Sequence, residues 1–208
     1  MLDASAIILA GGKNSRMNYQ NKALLKFGDG IIIEKIIKEV SDFKQIIVST
    51  NDPTPYTYLD VKLVKDIYPS QGPLSGIHAG LANSQFSHSL VLAFDMPFIK
   101  RNLLEYLVDL SREYDAVVPR SGKLYQPLCA IYAKACLPYI EANLKLNIRK
   151  ATSFYKDIRV KYVDEQELKW FGDFEYIFRN INTPSDYKNY CFTHHAEGLS
   201  LENKKIAF

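Results

Sequence analysis

Short apolar runs alternate along this chain with segments in which apolar residues recur every three or four positions. Residues 4–10, 45–50, 61–64, 89–94 and 116–119 are brief and rich in Val, Ile and Leu, the pattern of strands buried on both faces. Between them, residues 32–40, 74–83 and 103–112 carry the spacing of helices that bury one side. The second half is more mixed: residues 126–133 read as a strand, 137–146 as a helix and 159–163 as another strand. Strand–helix–strand alternation predicts a three-layer, doubly wound α/β fold, with a mostly parallel sheet and helices on both faces. Residues 1–192 are expected to form one domain and 193–208, where the hydrophobic period is lost, a polar tail.

Such folds bind ligands beyond the carboxyl ends of their strands, and polar residues gather there. Gly11, Gly12 and Lys13 follow the first strand, Asn51 the second, Asp66 the third and Asp95 the fourth. Paired glycines after a buried strand let backbone N–H groups approach an anion, and Lys13, Arg16 and Lys22 surround that turn with charge. The spacing is neither a P-loop nor the dinucleotide fingerprint, and a plain strand-to-helix turn with solvated cations would also fit. Pro73 suits a first helical turn. Gly76 and Gly80 would let that helix pack closely, with its N-terminus suited to a phosphate or nucleotide. Asp95, in Phe94-Asp95-Met96-Pro97-Phe98, occupies a common hard-metal position, although capping of the following loop is an alternative. Asp66 by itself reads as a solvated strand end. Asn180 and Asn182 alternate before a Thr183 that can cap a turn, and capping alone would account for much of that motif. Gln126 is the one expected ligand contact of the segment Gln126-Pro127-Leu128-Cys129.

Composition narrows the classes. Of 208 residues, 47% are hydrophobic and 24% charged, which excludes wholesale disorder. A net charge of +3, from 26 basic and 23 acidic residues, gives no general polyanion surface, and scattered aromatics make no nucleic-acid stripe. Three cysteines without metal spacing (Cys129, Cys136, Cys191) predict a reduced cytoplasm. No apolar stretch approaches a membrane span, and the N-terminus lacks the basic start of a signal peptide. Neither a zinc site nor a serine or cysteine nucleophile motif stands out among the four histidines and their neighbours.

In order along the chain stand LAGGKNSRM, Lys22, an Asp66 followed by GPLSGI, DMPF, QPLCAIY and NINTPSDY. Together these motifs, spanning about residues 4–190, resemble the molybdenum cofactor guanylyltransferases of the nucleotidyltransferase superfamily. The resemblance implies a nucleotide-diphospho-sugar-transferase-like fold and transfer of GMP from GTP to the terminal phosphate of molybdopterin cofactor, releasing pyrophosphate. It implies GTP contacts from Leu9, Ala10, Gly11 and Gly12, a phosphate contact from Lys22, and nucleoside recognition by Asn51 and Asp66. Asp95 would hold nucleotide-bound Mg²⁺, and Asn180 and Asn182 would face the molybdopterin. GTP and molybdopterin are then the expected partners, with transient contact with molybdoenzymes or insertion proteins, no nucleic acid, no membrane, and a monomer. The family generally reads R-M-G-x-x-D-K, whereas Asn18 and Asn21 stand here in place of the glycine and the aspartate.

Such a reaction would need no histidine base, because a phosphate monoester with a second pKa of about 6 is mostly dianionic at neutral pH. Charge neutralisation and positioning would carry it. Lys13 and Arg16 would face the β and γ phosphates, and Lys22 the charge growing at the α-phosphate, with Asp95 placing the metal. Cytidylyl transfer to the same cofactor, transfer to a sugar or alditol phosphate, and a non-catalytic delivery adaptor remain open on sequence.

Overall fold

Strand β1 (Leu2–Leu9) buries its last six residues, five of them apolar, and the fold is built outward from it. The computed structural model describes residues 1–11, 22–183 and 185–187. Parallel to β1 on one side run β4 (Phe43–Ser49) and then β5 (Lys62–Val64), and on the other β6 (His88–Ala93). Beyond β6 lies β9 (Cys129–Ala133), which runs antiparallel to it, then β7 (Ala116–Ser121) and β10 (Val160–Asp164), parallel to each other. The order is β10-β7-β9-β6-β1-β4-β5, with β8 (Leu124–Tyr125) paired to β7 as an eighth strand. The mostly parallel sheet expected from the sequence is therefore present, with β9 and the two-residue β8 reversed.

Alternation along each strand divides the core into two layers. Ala4, Ala6 and Ile8 of β1 face α1 (Ile32–Glu39) and α3 (Arg101–Leu110), whereas Ile7 and Leu9 face α2 (Pro73–Asn83) and α4 (Leu137–Lys145). That is the doubly wound, three-layer arrangement. On the second face α2 lies close against β1: a Cβ added at Gly80 would stand 2.3 Å from Ile7 Cγ2. The spacing of Gly76 and Gly80 thus works as the sequence suggests, by removing side chains where two elements touch.

Several expectations shift. The strand expected over 126–133 begins only at Cys129, because Pro127 has no N–H and the Cys129 N–H closes a turn onto the Gln126 carbonyl at 3.1 Å. The helix expected over 103–112 starts at Arg101, whose N–H donates to Glu39 Oε2 at 3.0 Å, and ends in a 3-10 turn at Ser111–Glu113. A small hairpin of β2 (Lys26–Phe27) and β3 (Gly30–Ile31) and the short helices α5 (Glu165–Leu168) and α6 (Phe174–Ile177) were not expected; each is too short for a periodic signal. No described helix is long and apolar enough to cross a membrane. Cys129 and Cys136 are buried and free, and burial pushes both thiols up to about 12. Gly12, Lys13, Arg16, Cys191 and the expected polar tail lie outside the described residues.

Candidate active site

The strand ladder continues past the strand ends and fixes the turns that leave them. Ala10 N–H donates to the Ser49 carbonyl at 2.9 Å, Thr50 N–H to Val64 at 2.9 Å and Phe94 N–H to Leu9 at 3.3 Å. The turns after β1, β4, β5 and β6 consequently open into one cleft of about 980 Å³. Of the sequence-expected residues, Leu9, Ala10, Gly11, Asn51, Asp66 and Asp95 all line it.

Asn51 and Asp66 come from neighbouring strand ends and bind each other reciprocally. Asn51 Nδ2 donates to Asp66 Oδ2 at 2.9 Å, and the Asp66 N–H donates to Asn51 Oδ1 at 3.2 Å. This pair orients the carboxylate and leaves its Oδ1 toward Gly76, where a Cβ would lie 3.8 Å from it. The same Cβ would stand 3.2 Å from Ser49 Oγ and 3.0 Å from Leu9 Cδ2. Gly76, in the first turns of α2, therefore keeps the cleft floor open, and Gly72 and Pro73 at the start of that helix line the wall.

A second cluster adjoins the cleft through Asp95. Lys22 opens a 3-10 turn (Lys22–Leu24) and is only 8% exposed, unusual for a lysine. Its Nζ donates to Asn182 Oδ1 over a long 3.4 Å. Next in the chain before Asn182, Ile181 donates its N–H to the Asp95 carbonyl at 2.9 Å. Burial pushes the Asp95 carboxyl above the ordinary carboxylate value, and the Lys22 charge opposes that shift without cancelling it. Among the described residues, Asp95 is thus a carboxylate short of positive charge. Asn180 sits in the same segment with a buried Oδ1 that has no partner among the described residues.

Not every expectation is met. Lys22, Asn180 and Asn182 are not among the described cleft-lining residues; they gather behind Asp95. Leu128, not Gln126, reaches the cleft wall, while the Gln126 backbone N–H closes onto the Pro119 carbonyl at 2.9 Å. Other lining residues were missed: Ser49, Asp52, Tyr56, Ser70 and Arg149. Tyr56 is buried, and its Oη reaches the Ala10 carbonyl at 3.4 Å, backing the first turn from 46 residues away. Arg149 arrives from the loop after α4 and adds a cation that no local motif announces.

A single carboxylate, with no described group of three or more His, Cys, Asp or Glu side chains, does not make a closed metal cage. The donor set fits a hard divalent ion that takes one protein carboxylate and completes its shell with phosphate oxygens and water.

The MobA-like NTP transferase domain model matches residues 6–162. A probable molybdenum cofactor guanylyltransferase of Clostridium perfringens strain 13 is 42% identical over 198 residues, covering 91% of this chain and 96% of the relative. One from Pelotomaculum thermopropionicum is 43% identical, covering 89% and 91%. Among solved structures, molybdopterin-guanine dinucleotide biosynthesis protein A from Archaeoglobus fulgidus superposes with a TM-score of 0.77 at 27% identity, covering 89% of this chain and 96% of that one.

Proposed function

This chain belongs to the MobA-like NTP transferase family and is a nucleotidyltransferase, and we propose that it transfers GMP from GTP to the terminal phosphate of molybdopterin cofactor. The observation that carries this reading is the convergence of Leu9, Ala10, Gly11, Asn51, Asp66 and Asp95 on one cleft, in a chain 42% identical to a molybdenum cofactor guanylyltransferase. Fold similarity alone would leave acceptor and base open.

The nucleoside lies against the Asn51–Asp66 pair. Asp66 Oδ2 is engaged by Asn51, so Oδ1 is the carboxylate oxygen available to ring N–H donors, which guanine presents on its N1 and N2 edge. The triphosphate runs across the turn after β1, where Gly11 exposes backbone N–H groups, with Gly12, Lys13 and Arg16 following in the sequence. Lys22 faces the α-phosphate from beside Asp95, and Asn180 and Asn182 stand on the acceptor side.

Nucleotidyltransferases of this family typically use a divalent metal. We assign Mg²⁺ to Asp95; when bound it supplies charge neutralisation and polarisation of the phosphate oxygens. The residues of the chain do the rest. Asp95, raised by burial, is a poor place for a lone negative charge and so favours a cation. Lys22, held nearly dry, presents its ammonium in a low-dielectric setting where its attraction for phosphate is strengthened. The acceptor phosphate brings its own nucleophilic dianion, so no side chain has to remove a proton.

The decisive experiment follows pyrophosphate release from Mg-GTP with and without molybdopterin cofactor. Release that depends strictly on the cofactor, and that CTP or ATP supports at least about tenfold less well, is the expected result. Equal release with CTP would overturn the guanylyl assignment, and GTP binding without release in the presence of acceptor would make the chain a delivery adaptor.

A further inference from the structure

Behind the cleft sits a carboxylate that the proposed chemistry leaves unused. Asp186 Oδ2 accepts the backbone N–H of Asn182 at 3.0 Å and that of Thr183 at 2.8 Å, and its own N–H returns to Thr183 Oγ1 at 3.1 Å. A Thr and an acid three residues apart that exchange such bonds form a reciprocal cap of a helical turn, which accounts for the two bonds with Thr183. It accounts neither for the bond to Asn182 nor for what that residue does. Asn182 Oδ1 accepts from Lys22 Nζ, and the neighbouring Ile181 N–H is fixed to the Asp95 carbonyl. Three consecutive residues are thereby pinned, one to Asp95, one to Lys22, and the last two by Asp186.

Electrostatics points the same way. Burial would raise the Asp186 carboxyl, but the Thr183 hydroxyl, the two amides and the Lys22 charge outweigh it and leave it below the ordinary value. Asp186 is therefore ionised, and the nearly buried Lys22 ammonium is close enough to favour that charge. A buried cation whose partners are fixed beforehand need not reorganise when its substrate arrives.

We infer that Asp186 is a positioning residue for guanylyl transfer, clamping Asn182 and setting the Lys22 ammonium against Asp95. The inference rests on the function proposed above, which gives Lys22 a phosphate to meet. It is distinct from an acceptor contact: Asn182 here serves as the link between a carboxylate and a lysine.

The test is a double-mutant cycle. Asp186→Ala and Asp186→Asn are made alone and with Lys22→Ala in the full chain, and molybdopterin-dependent pyrophosphate release is measured beside thermal melting. Asp186→Ala should lower kcat about 30-fold with the KM for GTP within about threefold, and should cost less than about twofold once Lys22 is Ala. Asp186→Asn, which keeps one acceptor oxygen but no charge, should fall between. Equal losses in both backgrounds would reduce Asp186 to a plain cap and overturn the inference. If Asp186→Ala fails to fold, Asp186→Asn carries the same cycle. A second readout needs no turnover: the rate at which an N-hydroxysuccinimide ester acylates Lys22, followed by mass spectrometry, should rise about threefold or more in Asp186→Asn as the ammonium is released from its setting. An unchanged labelling rate overturns the inference even if guanylyl transfer is confirmed. Faster labelling in a protein that never releases pyrophosphate would sink the proposed function and leave the clamp standing.

Discussion

The two halves of the sheet solve the same problem, presenting side chains at one rim, by different means. In the half made of β5, β4, β1 and β6 every strand runs the same way, so every carboxyl end delivers its turn to the cleft. Backbone ladder bonds set most of that geometry, and the functional residues lie within a few positions of a strand end. In the half made of β9, β7, β8 and β10, β9 is reversed and offers its amino end instead, which puts Leu128 on the wall. Side chains far apart in sequence hold this half. Arg120 Nε donates to Asp164 at 2.6 Å and Ser121 Oγ to Glu165 at 2.6 Å, each pair 44 residues apart, and the Tyr132 and Tyr155 hydroxyls bond to each other in the core. The half from β5 to β6 thus sets its rim largely by secondary structure, and the half from β9 to β10 leans more on long-range side-chain contacts. Substitutions at the strand ends of the first half should register in chemistry at little cost in stability.

The largest such effect belongs to Asp95. Asp95→Ala removes the half-buried cleft carboxylate whose charge burial disfavours, and Ile181 still has the residue's backbone carbonyl to bind. Turnover should fall by about two orders of magnitude or more while the melting temperature stays close to wild type. Near-normal pyrophosphate release at saturating Mg²⁺ would remove Asp95 from the centre of the site. Lys22→Ala should follow, lowering kcat about 100-fold but GTP affinity less than about tenfold, since the charge it meets grows toward the transition state. A loss confined to affinity, read by equilibrium binding, would make Lys22 a ground-state contact.

The asymmetry between the halves also explains what the sequence made legible. Four strand ends, two glycines and three acid or amide residues were readable because a buried strand leaves a local apolar signature and its functional residue comes next in the chain. Asn51, Asp66 and Asp95 follow strand ends and line the cleft for that reason. Tyr56 and Arg149 were not, because each reaches the cleft from a loop whose path is set by packing. The reversal of β9 was also hidden, since a five-residue apolar strand reads the same in either direction. Asn182 was legible as a polar residue near the site, yet its attachment to Lys22 spans 160 residues and leaves no local trace.

Two glycines four residues apart on α2 sharpen the contrast, because they face different parts of one half. Gly80 lies over the middle of β1, where Ile7 is held between β4 and β6 and cannot retreat. Gly80→Ala should cost about 1–3 kcal/mol and lower the melting temperature by about 5 °C. Gly76 lies over the cleft floor, where the nearest atoms are the ends of the Leu9 and Ser49 side chains. Those can turn into the cleft, and alanine gains about 1 kcal/mol of helix propensity. Gly76→Ala should therefore keep its stability but weaken GTP binding about three- to tenfold. Similar melting temperatures for the two variants would mean that α2 does not meet β1 as described.

The smallest effect expected concerns pH, at the seam where α2 meets α4. His78 is 6% exposed, stacks edge-on against Tyr68, and has an Nδ1 without a partner among the described residues. Burial depresses its pKa below 6.5, and Glu141, which accepts from Tyr68 Oη at 2.9 Å, pulls weakly the other way. The folded state therefore keeps His78 neutral at a pH where the unfolded chain takes up a proton. Above about pH 6.5 neither state is protonated and the residue costs nothing; below it the unfolded state gains a proton that the folded state refuses, and stability falls. Urea unfolding at pH 7.5 and pH 5.5 should show wild type losing more stability on acidification than His78→Gln, since the other histidines are common to both proteins. Equal losses would mean that the imidazole protonates freely in the folded state, which its seat between Tyr68 and the α2–α4 contact does not allow without opening that seam.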